Sequence, residues 1–118
     1  MDSRIKRIIE MMHEQPAINL SKEIMFKTVN LSVARGRVLF KQETGLSPTP
    51  YLKQMRLNRA ARLLSTSFLA IKEVMYMCGT KDASHFVHDF KKQFGVTPRE
   101  FRLRSQRSGN IRVDEARL

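Results

Sequence analysis

The residue types that could perform catalysis or hold a metal are few in this chain. It has one cysteine, Cys78, and three histidines; His85 and His88 stand three positions apart, and His13 is far away. A closed zinc site takes about four ligands, so this set predicts no zinc centre. A cysteine hydrolase needs an exposed, activated thiol, whereas Cys78 lies at the end of an apolar helical stripe. We therefore predict no catalytic residue, no bound metal and no cofactor, and no Gly-rich phosphate-binding motif is present.

Basic side chains offer a second kind of chemistry, and they dominate the sequence. Lys and Arg total 22 against 11 Asp and Glu, which gives a net charge of +11 and a pI near 10.6. The excess is uneven, because residues 29–64 carry 7 basic and 1 acidic side chains while residues 1–28 carry 5 and 4. A small domain of this charge usually binds a polyanion. The charge pattern therefore predicts a nucleic-acid partner, with solubility alone as the alternative.

The remaining composition limits the class of protein. A chain of 118 residues with 42% apolar residues is enough for one folded domain. No apolar run approaches the roughly 20 residues that a membrane span needs, and residues 1–10 do not resemble a secretory signal. A single cysteine suits a reducing compartment. We therefore predict a cytoplasmic protein without a membrane partner.

The elements that would position these side chains are helices. Four apolar stripes have helical spacing: Ile5, Ile8, Ile9 and Met12; Leu57, Ala60, Ala61 and Leu64; Ile71, Val74, Met75 and Cys78; and Ala83, Phe86, Val87, Phe90 and Phe94. No segment shows sustained period-two alternation, so an all-α fold is predicted.

Capping signals divide the helices from one another. Ser21 and Ser32 are placed as N-caps, and Thr97-Pro98-Arg99-Glu100 has the pattern of a capping box. Three glycines fall where helices should end, at positions 45, 79 and 95. The first helix should stop near Pro16. Residues 106–118 lack apolar periodicity and are predicted to be a frayed or disordered tail.

The chain contains an internal repeat. The segments Phe40-Lys41 and Gly45-Leu46-Ser47-Pro48 recur 50 residues later as Phe90-Lys91 and Gly95-Val96-Thr97-Pro98. Each copy is a short helix, a tight turn and a second helix, which is a helix-turn-helix, whose second helix enters a DNA major groove. The first unit covers about residues 20–45, the second about 70–95, and a linker helix of about 48–64 joins them. Duplicated packing in a plain seven-helix bundle is the alternative.

The second unit carries a family signature. It consists of Ile71, Glu73, Gly79, Asp82, Ser84, Phe86, Phe90-Lys91-Lys92, Phe94-Gly95-Val96-Thr97-Pro98 and Phe101-Arg102. With weaker matches in the first unit and the linker, the stretch from Leu20 to Arg104 resembles the DNA-binding domain of AraC/XylS-type transcription regulators. The resemblance implies a seven-helix domain over residues 1–105 with two helix-turn-helix subdomains. It also implies a bacterial protein without enzymatic activity, whose recognition helices lie in successive major grooves of double-stranded DNA.

Several positions depart from the family pattern. Phe26 and Met75 stand where the family usually has a small Ala at the crossing of the two helices, and Asn30 stands where it usually has Gly. Gly36 replaces a usual Leu, and Thr80 replaces an aromatic residue. A Gly inside a helix costs about 1 kcal/mol relative to Ala. We therefore expect the first recognition helix to be less stable or less well seated than is usual in the family.

The residues expected to face DNA follow from the two recognition helices, predicted over Ser32–Thr44 and Asp82–Phe94. Arg37 is the best candidate for a base contact, because Arg can bind O6 and N7 of guanine. The base-contact set is Ala34, Arg37, Val38, Ser84, His85 and His88, of which the resemblance places all but His85 at the family's reading positions. The phosphate-contact set is Arg35, Lys41, Lys91 and Lys92, and helix N-termini near Ser47 and Thr97 could bind phosphates as well.

Other functions remain open on the sequence alone. A non-specific nucleic-acid-binding module would show little preference for any one DNA sequence, and a helical protein-interaction domain would show no salt-sensitive DNA binding. Relatives usually carry a separate sensing domain, so the chain is expected to be a fragment of a longer regulator, or else a stand-alone one. RNA polymerase is the expected protein partner, and the isolated domain is expected to be a monomer.

Overall fold

The computed structural model describes residues 1–14 and 21–107, and within these ranges the chain forms helices and no strand. The helices are α1 (Ser3–Glu14), α2 (Lys22–Thr28), α3 (Val33–Thr44), α4 (Pro48–Thr66), α5 (Ile71–Met77), α6 (Ala83–Phe94) and α7 (Pro98–Arg107). The prediction of an all-α, seven-helix fold with two helix-turn-helix subdomains is confirmed. Gln106 and Arg107 close α7, and the rest of the predicted tail, 108–118, lies outside the described residues, as does Pro16.

Local hydrogen bonds at the predicted caps explain where several helices begin. The Ser21 and Ser32 hydroxyls each accept a bond from the backbone N–H three residues later. Gly45 and Gly95 end α3 and α6 in the left-handed region, at φ 84° and 82°, where only glycine lacks a steric penalty. These signals act within a few residues of chain, so they are visible in the sequence.

The chain divides into two compact units, Met1–Met55 and the part from Arg56 onward. The core of the first unit consists of Ile5, Ile8, Met12, Met25, Phe26, Leu31 and Phe40. The core of the second consists of Leu57, Ala60, Ala61, Leu64, Val74, Met75, Cys78, Phe86 and Phe90. Helix α4 serves both units, because Tyr51, Leu52 and Met55 pack on the first core while its later residues belong to the second.

The departures at Phe26 and Gly36 are one packing feature. Phe26 on α2 is fully buried, and a Cβ built on Gly36 of α3 would stand 2.6 Å from the Cγ and Cε1 atoms of its ring. The absence of a side chain at Gly36 therefore makes room for the ring. The two substitutions are complementary in space, and α3 runs unbroken from Val33 to Thr44; the expected lower stability of this helix stays a prediction.

The fourth apolar stripe needs a correction. Phe86 and Phe90 of α6 are buried, but Ala83 and Val87 are exposed, Val87 by 38%. The buried face of α6 therefore includes fewer positions than the sequence pattern indicates, because the phenylalanine side chains fill the core without Val87. Val87 is therefore accessible on the surface of α6 that carries the candidate contact residues.

Candidate nucleic-acid interface

The turn of the first unit holds α2 against α3. Asn30 adopts φ 60°, a left-handed conformation that Asn tolerates better than most residues. Its N–H donates to Lys27 O at 3.0 Å, and Leu31 N–H donates to Phe26 O at 2.9 Å. Leu31 is buried behind the turn. These backbone hydrogen bonds therefore close the turn between α2 and α3, and Asn30 takes the positive φ that its side chain permits.

The outer face of α3 carries the predicted contact residues. Ala34, Arg35, Arg37, Val38 and Lys41 all lie away from the core, while Gly36 and Phe40 are buried. Val38 is 59% exposed although it is apolar. An Arg guanidinium can bind O6 and N7 of guanine, and an apolar side chain can contact a thymine methyl group, so this face offers both kinds of group. The first unit thus brings together every contact residue predicted for it.

The second unit repeats this arrangement through a glycine turn. Gly79 takes φ 80°, and Thr80 N–H donates to Met75 O at 3.1 Å. The Asp82 carboxylate caps α6 by accepting from His85 N–H at 3.0 Å. This bond lowers the pKa of Asp82, as does the charge of a protonated His85. The carboxylate is therefore ionised at neutral pH at the start of the recognition helix.

The exposed face of α6 is polar and mixed in charge. Ser84, His85, His88, Lys91 and Lys92 are all exposed, as predicted from the sequence. His85 lies beside the helix cap, with its Nδ1 atom 3.6 Å from Asp82 Oδ2. Hydroxyl and imidazole groups can donate or accept hydrogen bonds at base edges. The second unit therefore brings together its own predicted contact residues as well.

Val87 is the contact candidate that sequence reasoning missed. The 50-residue offset pairs Ala34 with Ser84 and Val38 with His88, and it pairs Arg37 with Val87. Val87 is partly exposed on the same face of α6, about one turn after Ser84. Its apolar character suggests a core position, whereas the register of the repeat places it outside.

The helix that follows each recognition helix begins differently in the two units. At α7, Glu100 Oε1 accepts from Thr97 N–H at 3.1 Å and from Thr97 Oγ1 at 2.9 Å, and Glu100 N–H donates to Thr97 Oγ1 at 3.2 Å. The predicted capping box is thus present. At α4, the residue 50 positions before Glu100 is Pro50, and the first turn carries no acidic side chain.

Cys78 does not form a reactive site. It is fully buried, and burial raises the pKa of its thiol from 9.0 to about 11, against the opposing charges of Arg59 and Arg56. Within the described residues no group of three or more His, Cys, Asp and Glu is placed to hold a metal ion. Cys78 therefore contributes packing to the second core.

A thiol reagent at about pH 8 should barely modify Cys78 in the folded protein and should modify it fully in denaturant. Its raised pKa also means that the folded state holds the proton more tightly, so stability should fall as pH rises from about 9 to about 11. Absorbance of released thionitrobenzoate with and without urea measures the first effect. Fast native-state reaction with unchanged folding would contradict the burial.

Comparisons with known proteins place the chain in a family. The family described as a helix-turn-helix domain matches residues 25–104, which run from within α2 to within α7 and include both recognition helices. The HTH-type transcriptional activator RhaS from Escherichia fergusonii is 34% identical over 101 residues, 86% of this chain. The chain spans only 36% of the length of that relative. No helix in the described ranges is both long and apolar enough to cross a membrane.

Solved structures agree with the sequence match. A transcriptional regulator of the AraC type from Chromobacterium violaceum is 29% identical, with a TM-score of 0.81 over 87% of this chain and 92% of that one. The DNA-binding domain of AdpA, solved in complex with a target DNA, has the same fold, with 23% identity and a TM-score of 0.85 over 89% of this chain and 95% of that one. The family consists of transcription-regulator domains rather than enzymes. This chain belongs to the AraC-type helix-turn-helix domain family.

Proposed function

We propose that the chain binds double-stranded DNA sequence-specifically, as the DNA-binding part of a bacterial transcription regulator. The observation that carries the proposal is the repeated exposed face, since α3 and α6 present their contact candidates at positions related by the same 50-residue offset. One chain then supplies two recognition helices, which enter successive major grooves. A protein of the same fold was solved with DNA bound, which supports the assignment.

Each exposed side chain has a role in this proposal. Arg37 binds a guanine edge, and Ala34 and Val38 contact thymine methyl groups. In the second unit Ser84, His85 and His88 contact base edges, and Val87 offers a further apolar contact. The four cations Arg35, Lys41, Lys91 and Lys92 bind phosphates, which fixes the position of the protein without carrying sequence information.

The wider setting of this activity is part of the same proposal. Residues 1–105 form one DNA-binding domain, which is monomeric on its own and acts in the cytoplasm. RNA polymerase is the protein partner, because the relatives named RhaS are transcriptional activators. Crosslinking of the DNA-bound domain to RNA polymerase would test this partner.

A titration of DNA affinity against salt separates this function from its alternatives. If about six phosphates are neutralised, a plot of the logarithm of affinity against the logarithm of salt concentration should have a slope of about −5. Fluorescence anisotropy with a labelled duplex measures it. A slope near zero would reject nucleic acid as the partner and favour a protein-interaction domain. A steep slope with equal affinity for all sequences would favour a non-specific module.

A further inference from the structure

The two recognition surfaces differ in their acidic groups. On α3 the exposed charges are Arg35, Arg37 and Lys41. The one carboxylate of that helix, Glu43, is partly buried, and its Oε1 atom accepts from Asp2 N–H at 2.7 Å. On α6 and its cap the exposed charges are Lys91, Lys92 and the Asp82 carboxylate, while Asp89 is partly buried, as Glu43 is. The first exposed face therefore carries three cations, whereas the second carries two cations and one carboxylate.

Glu100 adds a further negative charge beside the second surface. Its carboxylate accepts from both the N–H and the hydroxyl of Thr97, so this exposed side chain is held at the start of α7. These hydrogen bonds lower the pKa of Glu100, and the charges of Lys91 and Arg104 lower it further. Glu100 is therefore ionised at neutral pH, and its carboxylate lies within electrostatic range of Arg104 and of Lys91, a candidate phosphate contact.

The equivalent position of the first unit holds no carboxylate. It is Pro50, which follows Lys41 at the same interval at which Glu100 follows Lys91. The first turn of α4 contains no acidic residue. A phosphate approaching Lys41 therefore does not meet the fixed carboxylate that one approaching Lys91 would meet.

We propose that Glu100 limits the hold of the second unit on the DNA backbone, so that the first unit supplies the larger share of the salt-dependent affinity. The inference rests on the proposed DNA binding and assigns unequal contributions to affinity to the two units. The physical reason is that a fixed carboxylate partly cancels the attraction of Lys91 for a phosphate, and this cancellation is largest at low salt.

The experiment exchanges the charge at this position in both units. Glu100→Gln keeps a hydrogen-bonding side chain but removes the charge, so affinity for a mixed-sequence duplex of about 30 base pairs should rise about two- to fivefold at low salt. The salt slope should steepen by up to about one. Pro50→Glu, which builds the same capping pattern after Ser47, should weaken binding by a similar factor and make the slope shallower.

Two controls make the outcomes distinct. Glu10→Gln makes the same charge change on α1, where the Glu10 Oε2 atom lies 3.9 Å from the Arg7 Nη1 atom. This variant should change DNA affinity by less than Glu100→Gln does. Thermal unfolding of Glu100→Gln should stay equal or fall slightly, since the variant lacks a capping carboxylate. Tighter binding together with unimproved stability is not expected from a structural role alone. Equal effects of Glu10→Gln and Glu100→Gln, or none from the latter, would overturn the inference, whereas absence of any DNA binding would overturn the proposed function itself.

Discussion

Replacing Gly36 by leucine should destabilise the protein by about 3 kcal/mol, against the gain in helix propensity of about 1 kcal/mol that removal of a mid-helix glycine brings. The reason is the ring of Phe26. A Cβ at position 36 would stand 2.6 Å from two of its carbon atoms, and the ring is fully buried in the first core. Chemical denaturation followed by circular dichroism measures the decrease in the free energy of unfolding.

The matched partner variant makes this prediction specific. Phe26→Ala alone should cost about 3–5 kcal/mol, because it leaves a cavity beside Gly36. The double variant Phe26→Ala with Gly36→Leu moves the apolar volume from α2 to α3, so it should regain about 3 kcal/mol relative to the sum of the single effects. Ala34→Leu on the outer face of α3 serves as control and should change stability little. Additive effects in the double variant would show that the two positions do not share one space.

The local signals of the fold were predictable because each depends on neighbours in sequence. Ser32 caps α3 through a bond to an N–H three residues away, and Thr97 with Glu100 forms a box within four residues. Asn30 adopts a left-handed conformation, which its short polar side chain tolerates because it can form hydrogen bonds with nearby backbone groups. Such features give helix ends and turns without any knowledge of tertiary contacts.

The features that sequence reasoning missed depend on which helix faces which. Gly36 is unfavourable by helix propensity, and only its contact with Phe26 explains it. Val87 is a core residue by type, and the one sequence signal for its exposure was the repeat, which pairs it with the exposed Arg37. The contact roles proposed for Arg37 and its neighbours depend on DNA, so exposure supports them and binding experiments must test them.

Replacing Arg37 by alanine should weaken binding to the true operator by about 1–3 kcal/mol and relax the preference at one or two base pairs. Arg37 is exposed on the outer face of α3, and removal of a bidentate guanine contact affects only sequences that contain that guanine. Selection of bound duplexes from a randomised DNA pool, carried out with wild type and variant, gives both the preferred sequence and the positions at which the preference disappears.

Lys91→Ala is the contrasting variant in the same selection. Lys91 is exposed late in α6 after the buried Phe90, and removing a phosphate-binding charge there should weaken all sequences alike and make the salt slope shallower by about one at most. If Glu100 offsets part of the Lys91 charge, as proposed above, the corresponding change for Lys41→Ala should be larger. If Arg37→Ala leaves the selected sequence unchanged, the first unit does not read bases through this residue. Sequence preference would then rest on Ser84, His85 and His88 of α6, together with Val87, and α3 would bind mainly phosphates.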